Sequence, residues 1–536
     1  MNRRISGRTA VGMLFLLLLG LAAAVPTMNQ FPSFIHAWSQ TDWFSLAFGF
    51  QNNGFDLLHP ESLLYNKQFP SYWWADDGST VTAVDFPIHP YIASVLMHVL
   101  GISEPWVFRV CTFAVSMVGI AFLFLLCQQV DENQPKSLFV ACLAITSPLY
   151  VYYFNGFLPS TVSLSFVWIG LWAYFKYHSI GKIKYWYWAI AMLTLATLIR
   201  TSQAVPLVAV CCFEVFKMIF VHKKFTVGFR HIVPLVLSFL FIGAYMLWNS
   251  HLRATSGSLW MNSLCPVRSW DEASAVFDNM RFWWRYRYFS RIQQFCMVLV
   301  VLAAVLLAVV HRLGWKSRLA AKVSRLPLLG QLTWMPQRRD ALGWFVAIYA
   351  FGSLLFFVAM LVQFKDHDYY FLDSFFTPIV MAIALCVRCL PCFTKVRMQL
   401  LAVAAIMLLG GLMFRAHRDV NGFYQSPDDR AYRCSINFEN SAQWLDSMGV
   451  LTDVKLLTLG AYPQNTPFIK MGRRGYACMW LEPQFVEKML QMKFDYVVIE
   501  NDILQQSLPE VDGALQQLKL IGSNGRLSLY VRKGEV

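Results

Sequence analysis

Charged residues are scarce in this sequence. They make up 14% of its 536 residues, and 57% of the residues are hydrophobic. A soluble domain has about 25% charged residues and roughly 45–50% apolar ones. Much of the apolar excess lies in runs long enough to cross a hydrocarbon layer of about 30 Å. The composition therefore excludes an ordinary soluble domain and predicts a polytopic membrane protein.

The sequence has no basic domain of the kind that binds nucleic acid, although its formal charge is +14. Its lysines and arginines lie in short loops between apolar runs, where the positive-inside rule expects them. The predicted partner of these residues is the lipid bilayer, and nucleic acid is excluded. Internal repeats and low-complexity tracts are absent too.

A complete metal-binding cysteine motif is also missing. Cys386, Cys389 and Cys392 have the right spacing. An iron–sulfur run would need a fourth cysteine close by, and a zinc site would need a second pair of ligands. Neither follows, so packing of small apolar side chains is the favoured interpretation.

Eleven apolar runs are predicted to span the membrane. With the arginine-rich N-terminus inside, alternate loops fall inside, including the very basic loop 313–340. The first outer loop, 28–105, is too long to lack structure and should contain surface helices near Thr41–Gln51 and His89–Leu100. The predicted spans are 10–27, 106–129, 137–154, 160–177, 185–199, 202–221, 231–249, 293–312, 341–363, 368–388 and 397–414.

The composition changes to that of a soluble domain after residue 414. We therefore predict an all-α membrane domain over 1–414 and a small outer α/β domain over 415–536, since strands alternate with helices there. The strands expected in this domain are Val454–Gly460, Phe494–Ile499 and Leu527–Arg532, and the helices are Ser441–Met448 and Pro483–Met492.

Two acidic groups follow the first span. Asp42 stands between Trp38 and Trp43, which would anchor the segment at the interface. It is either part of ordinary helix capping or a catalytic carboxylate. Two prolines bracket Ile88 and His89 in a rigid turn that presents Asp85 and His89 in fixed directions. The two carboxylates, Asp42 and Asp85, are candidates for base and orienting group or for ligands of a divalent metal ion.

Two further groups are predicted at the outer face. Arg200 lies between two spans with almost no loop, where it either snorkels to headgroups or holds a lipid phosphate. The run Gln363–Tyr370 is too polar for a bare connector, which favours a functional role over the alternative of a plain solvated turn. In that run Lys365 and His367 can bind an anion, and Tyr370 can donate a hydrogen bond.

Taken in this order, the motifs resemble the GT-C membrane glycosyltransferases, in particular the bacterial lipid A aminoarabinose transferases and protein O-mannosyltransferase-like enzymes. Ser39-Gln40-Thr41-Asp42 resembles the acidic motif of the family, and Asp85–Pro90 resembles its Pro-containing motif. In the aminoarabinose branch a lysine precedes the prolines, so this chain departs there. It also has Pro159-Ser160 where many relatives have Pro-Asp.

The resemblance implies transfer of a hexose or pentose from a polyprenyl-phosphate carrier to a glycan, lipid or protein acceptor, with inversion. It implies Asp42 and Asp85 as catalytic residues. It implies a donor site on the outer, periplasmic side of an inner membrane, formed by Arg200, Lys365, His367, Tyr370 and His89. No cofactor is required, and a divalent metal stays open. A transporter or flippase of lipid-linked sugars is the alternative, for which charges in mid-span and broken helices would be expected.

Overall fold

The computed structural model describes residues 7–69, 78–224, 228–312, 332–333, 341–393, 396–415, 426–506 and 509–534. Most of the basic loop predicted at 313–340 lies outside these residues. The described chain consists mainly of helices, followed by a five-stranded sheet near the C-terminus.

The first part of the chain is a bundle of helices. In chain order they are α1 Gly7–Ala24, α2 Ala37–Asn52, α3 Ile88–Leu100, α4 Pro105–Val130, α5 Gln134–Ile145, α6 Pro148–Tyr153, α7 Ser160–Ile180, α8 Ile183–Ile199, α9 Ala204–Phe216, α10 Phe229–Ser256, α11 Trp270–Trp283, α12 Arg291–Arg312, α13 Leu342–Ala359, α14 Thr377–Cys389 and α15 Val396–Arg415.

Eight segments in the described part of the chain are long and apolar enough to cross a membrane. They coincide with eight of the eleven predicted spans. The other three predictions fall on α5 with α6, on α7 and on α8. The predicted span 137–154 is divided into two short helices, because a new helix begins at Pro148 with Ser147 as its N-cap. The count of eleven stays a prediction. The eight segments are Gly7–Thr27, Pro105–Val130, Thr201–His222, Phe229–Ser256, Arg291–Val310, Leu342–Ala359, Leu372–Cys389 and Val396–Phe414.

Three of these segments turn their apolar side chains outward. Only 6% of an apolar 18-residue stretch is buried in α10, and only 11% of the corresponding stretch is buried in α12 and in α15. Leu247 on α10 and Leu408 on α15 are 76% and 68% exposed. Such surfaces are stable against lipid and costly against water. The multi-pass membrane architecture is thus visible in the burial pattern.

The C-terminal residues form a sheet flanked by short helices. Its strand order is β4-β3-β5-β7-β6; the first three strands are parallel, and β7 and β6 are antiparallel. The strands are β3 Lys455–Leu459, β4 Arg474–Cys478, β5 Tyr496–Glu500, β6 Leu518–Ser523 and β7 Leu527–Arg532, and a separate two-residue pair joins β1 Leu332–Thr333 to β2 Cys392–Phe393. The helices are α16 Arg430–Asn437, α17 Ser441–Ser447, α18 Thr466–Met471, α19 Pro483–Leu490, α20 Asn501–Leu504 and α21 Pro509–Leu515.

The three predicted strands and two predicted helices of this region are confirmed, with ends that differ by up to two residues. Strands β4 and β6 were not predicted. β4 begins Arg-Gly, and β6 exposes most of its side chains, so neither shows an apolar run or strict alternation.

The first long loop contains the two predicted helices, α2 and α3, and also reaches the C-terminal sheet. Leu64 forms a parallel bridge with Gly475 of β4, and the Tyr65 amide donates to the Gly475 carbonyl at 3.0 Å. A Cβ atom at Gly475 would lie 2.0 Å from the carbonyl oxygen of Leu456, so only glycine fits there. The loop and the C-terminal sheet therefore lie at the same end of the helix bundle.

Candidate active site

Asp42 lies inside helix α2 and is not a helix cap. It is 2% exposed. Its Oδ1 atom accepts hydrogen bonds from Asn465 Nδ2 at 2.7 Å and from Gln464 Nε2 at 3.4 Å. Burial raises the pKa of Asp42 to about 7, although the two amides act in the opposite direction. A carboxylate with this pKa can accept or hold a proton near neutral pH.

The donors to Asp42 come from the C-terminal part of the chain. Asn465 and Gln464 lie between strand β3 and helix α18 and are both buried. Trp38, one helical turn before Asp42, packs edge-to-face on Tyr462 and Trp480, with ring centroids 6.3 and 5.8 Å apart. One face of α2 is thus covered by the C-terminal residues.

A second polar group surrounds Arg200, at the junction between α8 and the next span. Its Nε and Nη2 atoms donate to Asp373 Oδ2 at 3.1 and 2.8 Å, and Ser202 donates to the same oxygen at 2.9 Å. The guanidinium carbon lies 5.2 and 5.8 Å from the ring centroids of Tyr369 and Tyr370. These contacts fix the direction of the guanidinium group.

Asp85 belongs to the Arg200 group. Its Oδ1 atom accepts a hydrogen bond from Thr201 at 2.8 Å, and its Oδ2 atom lies 3.9 Å from Arg200 Nη1. Burial raises the pKa of Asp85, although Arg200 and Thr201 act in the opposite direction. The structure brings Asp85 to Arg200, whereas the hydrogen-bond partners of Asp42 come from the C-terminal region.

A third polar group joins the start of α2 to the segment before α14. His36 Nε2 lies 3.3 Å from Asp368 Oδ1, and Arg287 Nη2 lies 3.2 Å from Asp368 Oδ2. Tyr153 also donates to Asp368, at 2.6 Å. Burial alone would raise the pKa of Asp368, but His36 and Arg287 overcome this effect and lower it to about 2. The carboxylate is therefore permanently charged.

The predicted residues of the Gln363–Tyr370 run differ in their surroundings. His367 stacks on His36 with ring centroids 5.2 Å apart, and burial lowers the pKa of His367 to about 3, so its imidazole is neutral. Tyr370 lies beside Arg200. Lys365 is half-buried, and within the described residues its ammonium group makes no hydrogen bond or ion pair.

The structure does not bring His89 to these groups. His89 Nε2 and Thr112 Oγ1 are 2.8 Å apart, and the ring packs edge-to-face on Phe108, so the residue lies in the α3–α4 interface. In the described residues no group of three or more His, Cys, Asp or Glu side chains is arranged to hold a metal ion.

Several polar residues of the site were not among those predicted. Asp373 falls inside an apolar run, and Arg287 lies in an outer loop where arginines alternate with aromatic residues. Asp368 lies inside the predicted Gln363–Tyr370 run and His36 lies six residues before Asp42, so both could have been included on that ground. Asn465 lies 423 residues from Asp42 and carries no local signal.

Comparison with known proteins identifies the architecture. The structure is similar to ArnT from Cupriavidus metallidurans bound to undecaprenyl phosphate, with a TM-score of 0.57 and 11% identity over 98% of this chain and 99% of that one. It is also similar to the arabinofuranosyltransferase AftD from mycobacteria, with a TM-score of 0.53 and 11% identity over 98% of this chain and 40% of that one. The chain has a GT-C fold.

A sequence match covers part of the GT-C fold. Residues 84–255 match the family described as dolichyl-phosphate-mannose-protein mannosyltransferase. This range contains Asp85 and Arg200 but neither Asp42 nor Lys365. No curated protein sequence matches the chain. The predicted GT-C architecture is confirmed, and the roles of the individual residues stay predictions.

Proposed function

We propose that this protein is a glycosyltransferase that moves a sugar from a polyprenyl-phosphate carrier to an acceptor on the extracytoplasmic face of the membrane. The observation that carries the proposal is the environment of Asp42, a buried carboxylate on the first surface helix of a GT-C fold. Its pKa of about 7 suits a general base. The described residues offer no observation in favour of a transporter.

In the proposed reaction Asp42 takes the proton from the acceptor hydroxyl or amine. The acceptor atom attacks the anomeric carbon as the bond from that carbon to the phosphate oxygen breaks, and the electron pair leaves on the phosphate. A single displacement of this kind inverts the anomeric configuration. The products are the glycosylated acceptor, the protonated Asp42 and the free lipid phosphate.

The lipid phosphate is proposed to lie near Arg200. Its guanidinium group is held in place by Asp373 and lies beside Tyr370. Lys365 supplies an ammonium group without a partner among the described residues. Neutral His367 already donates from Nδ1 to the Gln363 carbonyl at 3.1 Å, so its Nε2 atom offers an acceptor and not a donor to the phosphate. Donors fixed before the reaction stabilise the charge that develops on the leaving phosphate. The ArnT structure with bound undecaprenyl phosphate supports this class of carrier.

The charge of the loops supports an assignment of the membrane side. Arg200 contacts Asp85 of the first loop, which also reaches the C-terminal sheet, whereas the basic loops are predicted from the sequence to be on the inside. We therefore propose a periplasmic active site on an inner membrane protein. We also propose that residues 1–414 form the catalytic membrane domain and that residues 415–536 form a separate outer domain.

The proposal is tested with Asp42→Asn in detergent-purified full-length protein. Polyprenyl-phosphate mannose and polyprenyl-phosphate aminoarabinose serve as donors, and released lipid phosphate is measured. We expect the substitution to lower turnover by roughly 10³-fold, because a positioned base contributes about 10²–10⁴.

The matched control is Asp56→Asn, in the same loop. Asp56 is 48% exposed and pairs only locally with His59, so its loss should leave turnover unchanged. Wild-type turnover by Asp42→Asn would overturn the proposed base.

A further inference from the structure

The C-terminal region covers the face of α2 that carries Asp42. The two amide donors to Asp42 Oδ1 are Asn465 and Gln464, and both are at least 98% buried. Asp42 receives no other side-chain hydrogen bond from the described residues. The direction of the carboxylate in the site therefore depends on two residues that lie more than 400 positions away in the chain.

Asn465 has an unused hydrogen-bonding atom next to Asp42. Its side chain is 0% exposed, its Nδ2 atom is engaged by Asp42, and its Oδ1 atom is buried with no partner among the described residues. A buried carbonyl oxygen without a donor destabilises the folded state. Such an atom beside a proposed base is well placed to accept a hydrogen bond from the substrate group that the base deprotonates.

We propose that Asn465 is a positioning residue of the reaction: its amide nitrogen fixes Asp42 by Oδ1, which directs Oδ2 to the acceptor, and its own Oδ1 atom receives a hydrogen bond from the acceptor group. The C-terminal region then completes the active site. This inference rests on the proposed function, because it assigns a helper to the proposed base.

Few ionisable groups face Asp42 from the elements around it. Tyr462 is the titratable side chain on the C-terminal side, and its pKa is raised by burial and by the charges of Asp429 and Asp42. His36, before α2, pairs with Asp368, and Lys470 on α18 pairs with Glu439 at 2.8 Å. The ionisation of Asp42 is thus governed by its burial and by the two amides.

The experiment compares Asn465→Leu with wild type in the same lipid-phosphate release assay between pH 5 and 9. Leucine keeps the branched outline of asparagine, with bulkier methyl groups, and removes both hydrogen-bonding atoms. A hydrogen bond to a charged group is worth enough to shift the acid limb of the pH profile upward by roughly one to two pH units. We also expect turnover at pH 7 to fall by roughly 5- to 50-fold, since Asp42 is about half-ionised there in wild type and the ionised fraction drops by about tenfold for each further pH unit by which the limb moves.

Asn66→Leu is the matched control, because Asn66 also joins the first loop to the C-terminal sheet. It is 2% exposed and exchanges two hydrogen bonds with the backbone of Ala477, at 2.9 and 3.0 Å. Its loss loosens the same interface without touching Asp42, so the acid limb should stay in place. An equal shift in both variants would reduce Asn465 to a purely structural role and overturn the inference.

The failures of the two proposals are distinguishable. If Asp42→Asn abolishes lipid-phosphate release and Asn465→Leu has the wild-type rate and pH profile, only the role of Asn465 is refuted. If Asp42→Asn retains full release, the proposed base is refuted, and the assigned role of Asn465 fails with it.

Discussion

Two ionic groups, one buried and one half-buried, lie at opposite ends of the helix bundle. One surrounds Arg200 and Asp373 near the first loop. The other surrounds Glu214, fourteen residues further along, which corresponds to roughly 21 Å at 1.5 Å per helical residue. Glu214 Oε1 accepts hydrogen bonds from Tyr174, His178 and Lys217, at 2.5, 3.0 and 2.7 Å.

The two groups differ in how completely their atoms are used. Oε1 of Glu214 binds donors from helix α7 and from the helical segment that follows α9. One oxygen atom thus connects two helical segments, as a structural contact between helices requires. Near Arg200, by contrast, Asp373 Oδ1 and both amide atoms of fully buried Gln203 have no partner among the described residues. Since buried polar atoms are normally satisfied, these unused atoms agree with the proposed phosphate site beside Arg200.

The largest effect that tests this comparison is expected from Arg200→Gln. We expect lipid-phosphate release to fall by roughly 10²–10³-fold, as is typical when a charge-stabilising donor is removed. Arg200→Lys keeps the charge but loses the planar fork, and it should lie between this variant and wild type. Turnover assays on monodisperse protein measure both. If Arg200→Gln lowers thermal stability but leaves turnover intact, the Arg200 group is structural like that of Glu214.

An intermediate effect is expected from pH, and it should act on activity through Asp42. The carboxylate must be ionised to act as a base, so turnover should rise about tenfold per pH unit up to pH 7 and level off above it. Stability should change in the other direction. The folded state keeps a proton on Asp42 that the unfolded chain releases near its ordinary pKa, so the contribution of Asp42 to stability falls as pH rises from about 4 to about 7.

Rate and thermal midpoint measured across this range check the sign of both trends. In Asp42→Asn the falling contribution of this residue to stability should disappear. A turnover that is flat between pH 5 and 8 would contradict the assignment of Asp42 as the base.

The smallest effect on activity is expected from Glu214→Gln. Its loss leaves Lys217 and His178 without their common partner, so the thermal midpoint should fall by a few degrees. Turnover at a temperature well below that midpoint should be unchanged. Glu132→Gln, at an exposed position, serves as the control. A large loss of turnover with an unchanged midpoint would show that the two ends of the bundle do not differ as described.

Local patterns were enough to predict much of the fold. The lengths of the apolar runs predict the membrane spans, and the polarity of residues 28–105 predicts helices α2 and α3. The prediction is weakest where an element lacks its own pattern. Strand β4 contains Gly475, whose backbone lies too close to the Leu456 carbonyl for any side chain, so the strand lacks a continuous apolar pattern. Strand β6 is solvent-exposed over most of its length.

The site was predictable only in part. Asp42, Asp85 and Arg200 stand out because charged residues beside apolar runs are conspicuous. The hydrogen-bond donors to Asp42 do not, because asparagine and glutamine in a soluble region are ordinary. Their importance comes from a fold that joins residues 423 positions apart, and sequence spacing contains no record of such a contact.

The bridge between the first loop and strand β4 has a consequence for the order in which the protein is made. Asn66 and Ala477 are separated by 411 residues. At a synthesis rate of about 5–20 residues per second, the loop is made roughly 20–80 seconds before its partner strand exists. During this interval Leu64 and Tyr65 have no β4 backbone to pair with. The contacts that enclose Asp42 from the C-terminal side therefore form only after nearly the whole chain has been made.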